Sequence, residues 1–189
     1  MIKIAIFASG SGSNAENIAN YFKNKGILEI AVIVTNNPNA YVLERAKKLA
    51  IPALTFTKTE MNTENLVAET LKSAGVECII LAGYLLKIPQ SLIDAFEGRI
   101  VNIHPALLPK FGGKGMYGDR VHQAVVEAKE TESGITIHYV NEHYDEGAII
   151  QQVKCEVLPT DSAEDVANKV HALEYEHFPK VIEVLLSSN

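Results

Sequence analysis

Asn102-Ile103-His104 sets an amide and an imidazole two residues apart, so on an extended strand both side chains fall on one face. An asparagine amide donates hydrogen bonds to a developing oxyanion, and a histidine holds or moves a proton near neutral pH. The same pair would also serve as a polar strand end that caps a loop. A carboxylate, Asp145, stands in Tyr144-Asp145-Glu146-Gly147, where acidic residues are equally common as plain turn formers. His138 alternates with Thr136 and Val140 and reads either as a half-buried histidine or as part of a site. Upstream lies Ser9-Gly10-Ser11-Gly12-Ser13-Asn14-Ala15, a glycine-rich turn feeding a helix. Unpaired N–H groups and the positive end of the helix dipole make such a turn an anion site, most often for phosphate. Gly10-x-Gly12-x-x-Ala15 also fits the dinucleotide fingerprint, which expects an acid about 20 residues on. Here the next strand ends Thr35-Asn36-Asn37 without one, which favours phosphate over a dinucleotide and leaves open a merely tight turn.

These residues need a frame. Residues 2–8, 28–34, 53–56 and 78–81 are apolar and rich in β-branched side chains, as buried strands are. Between them, residues 15–24, 41–49 and 64–74 carry apolar side chains at helical spacing. Ser13 followed by Glu16 fits a capping box, and Gly26 and Gly75 stand where helices should stop. Residues 99–102 form a short strand entering His104-Pro105-Ala106-Leu107-Leu108-Pro109, where two prolines forbid a regular helix, and Gly112-Gly113-Lys114-Gly115 extends that loop. A helix over 119–129, strands over 134–141 and 148–157 joined by 142–147, and a helix opened by Asp161 and Glu164 and running to about 186 through Pro179 complete the chain. The expected fold is α/β: one Rossmann-like domain over residues 1–189, a parallel sheet with helices on both faces and an antiparallel C-terminal strand extension. In such sheets ligands bind at the C-terminal strand ends, where Asn102 and His104 fall.

Composition narrows the partners. The chain has 189 residues, 47% hydrophobic and 21% charged, enough for one domain with a sizeable core. A net charge of −6 without a run of like charges argues against a general binder of nucleic acid or anionic membrane, and leaves small-molecule ligands. Cys78 and Cys155 sit in apolar runs without metal-ligand spacing and read as reduced thiols of a cytoplasmic protein with no metal site. The apolar N-terminal run is too short for a signal segment or a membrane span.

Taken together, Gly10-Ser11-Gly12-Ser13-Asn14, Asn102-Ile103-His104-Pro105-Ala106-Leu107-Leu108-Pro109, Gly134-Ile135-Thr136-Ile137-His138 and Asp145-Glu146-Gly147-Ala148-Ile149-Ile150 resemble the phosphoribosylglycinamide formyltransferases of purine synthesis, within the wider group of folate-dependent formyltransferases. The resemblance runs through the whole chain in the right order. It implies formyl transfer from 10-formyltetrahydrofolate to the amine of glycinamide ribonucleotide, by direct attack through a tetrahedral intermediate and without a metal. It implies catalytic roles for Asn102, His104 and Asp145, a phosphate site at Gly12, Ser13 and Asn14, and a ribose-side contact from Glu174. The folate would lie between Leu85-Leu86-Lys87-Ile88 and a loop containing Asn141 and Tyr144. Asp145 is then expected to raise the pKa of His104 above about 6.5. A tRNA formyltransferase would carry a further C-terminal domain and a basic surface, and a formyltetrahydrofolate deformylase an N-terminal regulatory domain; with a non-enzymatic nucleotide-binding module, these are the alternative readings. Monomer and homodimer both stay open.

Overall fold

Strands β1 (Ile2–Phe7), β2 (Leu28–Thr35), β3 (Ala53–Thr55), β4 (Cys78–Leu81) and β5 (Ile100–His104) run parallel, while β6 (Glu132–Tyr139) and β7 (Ile149–Glu156) are added antiparallel. The sheet order is β3-β2-β1-β4-β5-β6-β7 in the computed structural model, which describes residues 1–187. Chain order reverses on either side of β1, so a crevice opens between the C-terminal ends of β1 and β4.

The central strands β1, β2 and β4 are largely apolar because helices cover both faces. On one face Ile4, Ile6, Ile80 and Val101 pack against α1 (Ser13–Phe22), α2 (Val42–Lys48) and α7 (Ala163–Ser187) through Ile18, Val42, Val170 and Phe178. On the other, Ala5, Phe7, Val34 and Ile79 meet α3 (Lys58–Met61), α4 (Leu66–Ser73) and α5 (Gln90–Ala95) through Met61, Leu71 and Leu92. Side chains alternate between the faces along each strand, so β1 contributes residues 4 and 6 to one layer and 5 and 7 to the other.

Every expected element is present, with shifted boundaries and two additions. The short helices α3 and α5 escape a periodicity reading, although Thr57 and Glu60 form a complete capping box at α3. The box expected at Ser13 and Glu16 is not made: Gly12 is the N-cap, in a left-handed conformation, and Glu16 turns instead to the Arg45 guanidinium. At α7 the reciprocal cap falls one residue later than expected. Ser162 N donates to Asp165 Oδ2 at 2.8 Å and Asp165 N to Ser162 Oγ at 3.1 Å, while Asp161 accepts from Leu158 N at 2.8 Å and from Lys169 Nζ at 2.5 Å. Strand β5 runs past residue 102 to His104, because β6 pairs with it in a register that sets Asn102 opposite His138 and His104 opposite Thr136.

Thr136 fixes the loop that leaves β5. Its fully buried hydroxyl donates to Ala106 O at 2.7 Å and accepts from Leu108 N at 3.0 Å and from Gln152 Nε2 at 2.9 Å, which uses one donor and both lone pairs. Gln152 also donates to Leu108 O at 2.8 Å, so β6 and β7 together clamp residues 106–108. Thr136→Val keeps the shape and strands two groups of buried residues, Ala106 O and Leu108 N, each worth about 1–3 kcal/mol if left unsatisfied, while the exposed Gln152 keeps its bond to Leu108 O. We expect a net loss of about 2–3 kcal/mol, read as a Tm lowered by roughly 2–4 °C per kcal/mol in a thermal unfolding scan; an unchanged Tm would show that the clamp carries no stability.

Candidate functional site

The turn after β1 is tied to its neighbours through Ser9. Its N–H donates to Gly83 O at 2.9 Å, and its hydroxyl donates to Asn36 Oδ1 at 2.5 Å and accepts from Leu85 N at 2.9 Å, which joins the ends of β1, β2 and β4. Gly12 has φ +71°, and a Cβ there would lie 2.3 Å from Val42 Cγ2, so a side chain at this position is barred by both strain and space. The N–H groups of the first turn of α1 have no intrahelical carbonyl to meet, and Gly12, Ser13 and Asn14 line the cleft. Asn14 is committed elsewhere: its Nδ2 donates to Glu174 Oε2 at 2.9 Å, linking the turn to α7. The turn itself holds no Lys or Arg, and the fold brings a cation to it from α2. Arg45 Nε donates to Ser11 O at 2.8 Å, but its guanidinium is already paired with Glu16.

Across the cleft, Asn102, His104, His138 and Asp145 converge. His104 Nε2 is 2.8 Å from Phe111 O; a carbonyl only accepts, so Nε2 carries the hydrogen and Nδ1 faces Asp145 Oδ2 at 3.5 Å. His138 Nδ1 likewise donates to Tyr139 O at 2.8 Å, which leaves Nε2 to accept from Asn102 Nδ2 at 3.1 Å. One amide hydrogen of Asn102 is thereby spent on His138 and the other stays free. Asp145 completes the group, with Oδ2 accepting from Gly113 N at 2.9 Å and Oδ1 3.7 Å from His138 Nε2.

Burial decides the charges. His104 is 3% exposed, and its removal from water lowers its pKa more than Asp145 and the Phe111 carbonyl raise it. The expectation that Asp145 would lift His104 above its ordinary value is therefore overturned: the attraction exists, and desolvation outweighs it. For Asp145 the balance is reversed. Burial pushes its carboxyl upward, yet the His138 and His104 rings and the Gly113 amide together hold it below the usual carboxylate range. Burial pushes Glu174 upward, beyond what the Asn14 hydrogen bond offsets.

The residues singled out in the sequence line two adjoining cavities. Gly12, Ser13, Asn14, Leu85, Asn102, His104, Tyr144, Asp145 and Glu174 line a cleft of about 580 Å³. Leu86, Lys87, Ile88, Asn141 and Tyr144 line a smaller cavity of about 80 Å³ that shares Asn102 and Asp145 with it. Lys87 Nζ stands 5.9 Å from the Tyr144 ring centroid, and both residues line the smaller cavity. The sequence left His138 undecided and gave no signal for Gln152, His122 or His171, which reach the site or its supports only through strand register and helix packing. Among the described residues no group of three or more His, Cys, Asp or Glu side chains is placed to hold a metal, and no helix is long and apolar enough to cross a membrane.

The chain has relatives among known proteins. The formyl transferase family profile matches residues 2–182. A Bacillus subtilis protein named phosphoribosylglycinamide formyltransferase is 39% identical over 100% of this chain and 97% of its own length. A chloroplastic phosphoribosylglycinamide formyltransferase of Vigna unguiculata is 43% identical, and this chain spans 60% of that protein's length; for an Arabidopsis thaliana relative of the same name the share is 64%. The crystal structure of glycinamide ribonucleotide transformylase 1 from Symbiobacterium toebii superimposes with a TM-score of 0.90 at 32% identity, covering 100% of this chain and 89% of that one. With a profile match from the first strand into the last helix and the same fold in its relatives, the chain belongs to the formyl transferase family.

Proposed function

We propose that this chain transfers the formyl group of 10-formyltetrahydrofolate to the amine of glycinamide ribonucleotide. The observation that carries this reading is the convergence on one cleft of a backbone anion turn, a free asparagine amide hydrogen and a buried His104 beside the half-buried Asp145, with a partly apolar side cavity opening at the same residues. The relatives' names point to the same reaction. The phosphate would sit on the Gly12–Asn14 amides and the ribose beside Glu174. The pterin would enter between Leu85–Ile88 and the loop of Asn141 and Tyr144. The proposed setting is the cytoplasm, where free thiols such as Cys78 and Cys155 stay reduced.

In this reading the substrate amine attacks the formyl carbon, the C=O electron pair moves onto oxygen, and the resulting oxyanion accepts the free Asn102 amide hydrogen. The amine must shed a proton and the departing folate nitrogen must gain one. A resting His104 held neutral by burial suits the first task, and its open lone pair is on Nδ1, the atom beside Asp145. A proton taken there, through a water held by Asp145, forms an imidazolium paired with that carboxylate, which then returns the proton to the leaving nitrogen as the C–N bond breaks. Asp145 thus lowers the cost of the transient cation without making it the resting state.

The reaction is tested by assaying formyl transfer to glycinamide ribonucleotide beside formyl-folate hydrolysis and tRNA formylation. Turnover of the first alone is expected, and hydrolysis alone would make the chain a deformylase. Asn102→Ala should lower kcat by about 10²–10³, the usual cost of one oxyanion donor; near-normal turnover removes the residue from the mechanism. The His104 imidazole should titrate below about 6.5 by NMR, and Asp145→Asn should lower it further because the lost charge favoured the imidazolium. The same variant should turn over far more slowly while still binding glycinamide ribonucleotide. A His104 titration above the ordinary range would contradict the neutral resting state.

A further inference from the structure

His122 has no part in the chemistry above, yet it lines the same cleft. It lies in the first turn of α6 (Asp119–Glu127), is 2% exposed, and its Nδ1 is buried without a hydrogen-bond partner. Such an atom costs about 1–3 kcal/mol unless something satisfies it. Its surroundings are polar. Its ring stands edge-on to His171 with centroids 6.1 Å apart, and His171 stacks on Tyr175 at 6.4 Å. His171 and Glu174 line the same cleft from α7, and Asn14, which donates to Glu174, has its own buried Oδ1 unpartnered. Two orphaned polar atoms therefore belong to one stretch of cleft, beside a carboxylate with little solvent.

We propose that His122 is a substrate-positioning residue of the nucleotide half of the cleft, hydrogen-bonding a ribose hydroxyl that Glu174 also contacts. This rests on the formyl-transfer reading. A sugar hydroxyl both donates and accepts, so one group can donate to a carboxylate and meet an imidazole nitrogen at once. Burial, then the neighbouring His171 and His104, disfavour a charge on His122 against the pull of Asp119, so it serves as a neutral partner for a neutral group and adds nothing to the grip on phosphate. The residue lines the cleft that holds the glycine turn and not the smaller cavity of Leu86 and Ile88, which assigns it to the nucleotide and not to the folate. Neither its spacing nor its neighbours in the sequence signal this. Only the packing of α6 against α7 brings it there.

The experiment is steady-state kinetics on the intact chain, with calorimetric binding of glycinamide ribonucleotide. His122→Leu should raise KM and Kd for that nucleotide by about three- to tenfold, the value of one neutral hydrogen bond, with kcat and the KM for formyl-folate nearly constant. His122→Gln, which restores a hydrogen-bonding group, should recover part of the loss. Unchanged nucleotide affinity in His122→Leu overturns the proposal. So does a fall in kcat together with both affinities and Tm, because that is the pattern of a structural residue. Failure of the unsubstituted chain to bind or formylate the nucleotide would instead overturn the formyl-transfer reading itself, so the two failures are told apart.

Discussion

A half-buried carboxylate that must stay ionised organises this end of the molecule. Asp145 loses solvation on entering the fold and is compensated by one backbone N–H and two imidazole rings drawn from three separate stretches of chain. That requirement dictates the backbone on both sides. Asp145 itself has φ +56°, and Gly147, two residues on, lies so close to β6 that a Cβ would sit 1.6 Å from Tyr139 O. Gly112, beside the donor Gly113, would place a Cβ 2.5 Å from Leu108 Cδ2 and 3.4 Å from Asp145 Cβ. The glycines of this region let two loops approach a single carboxylate closely enough to replace its water.

The switch from parallel to antiparallel pairing at β5 makes the constellation possible. Five parallel strands deliver their C-terminal ends to one edge of the sheet, and each is followed by a turn that leaves for a helix. An antiparallel β6 instead runs directly alongside β5, so that Asn102 faces His138 and His104 faces Thr136. Cross-strand neighbours are within side-chain reach. The first pair becomes a hydrogen bond that orients the amide, and the second sets the clamp on the following loop beside His104. The hairpin to β7 then carries Asp145 back over the strand end. Three functions, orienting, clamping and supplying charge, thus come from one supersecondary unit.

Much of this is legible in the sequence, for identifiable reasons. The parallel strands announce themselves because both their faces are buried, and the anion turn because glycine and serine crowd between a strand and a helix. Asn102, His104 and Asp145 are readable as a group only through resemblance, since a turn aspartate carries no local mark of what it will fold against. The sign of the His104 shift was beyond the sequence, which shows that an acid is available and not how much water both groups lose. Ser13 and Glu16 satisfy a capping pattern, yet Gly12 takes the cap in a left-handed conformation, and Glu16 answers to Arg45 on another helix. Thr136, Gln152 and His138 act through cross-strand register, which a one-dimensional reading does not contain.

The electrostatics of the cleft complete the account. A chain with net charge −6 that sets Glu174, Asp145 and Asp119 against Lys114 around one cleft would repel an anionic nucleotide if side-chain charge alone governed it. Glu16 pairs with Arg45, the cation hydrogen-bonded to the glycine turn, so at the turn itself the attraction is carried by oriented N–H dipoles at the start of α1, with Lys114 elsewhere on the cleft wall. Dipoles act over the length of a hydrogen bond, whereas charges act over a Debye length of about 10 Å at moderate salt. A dipolar site therefore grips a phosphate that is already seated and does little to draw in one that is distant. The neighbouring carboxylates can then serve chemistry and hydroxyl recognition at the same end of the sheet: Asp145 accepts from the Gly113 amide beside its two imidazole rings, and Glu174 is held by Asn14 and pushed toward its protonated form by burial. Asp145 and Glu174 are each compensated within their own surroundings, and that separation lets one small cleft hold an anion beside both of them.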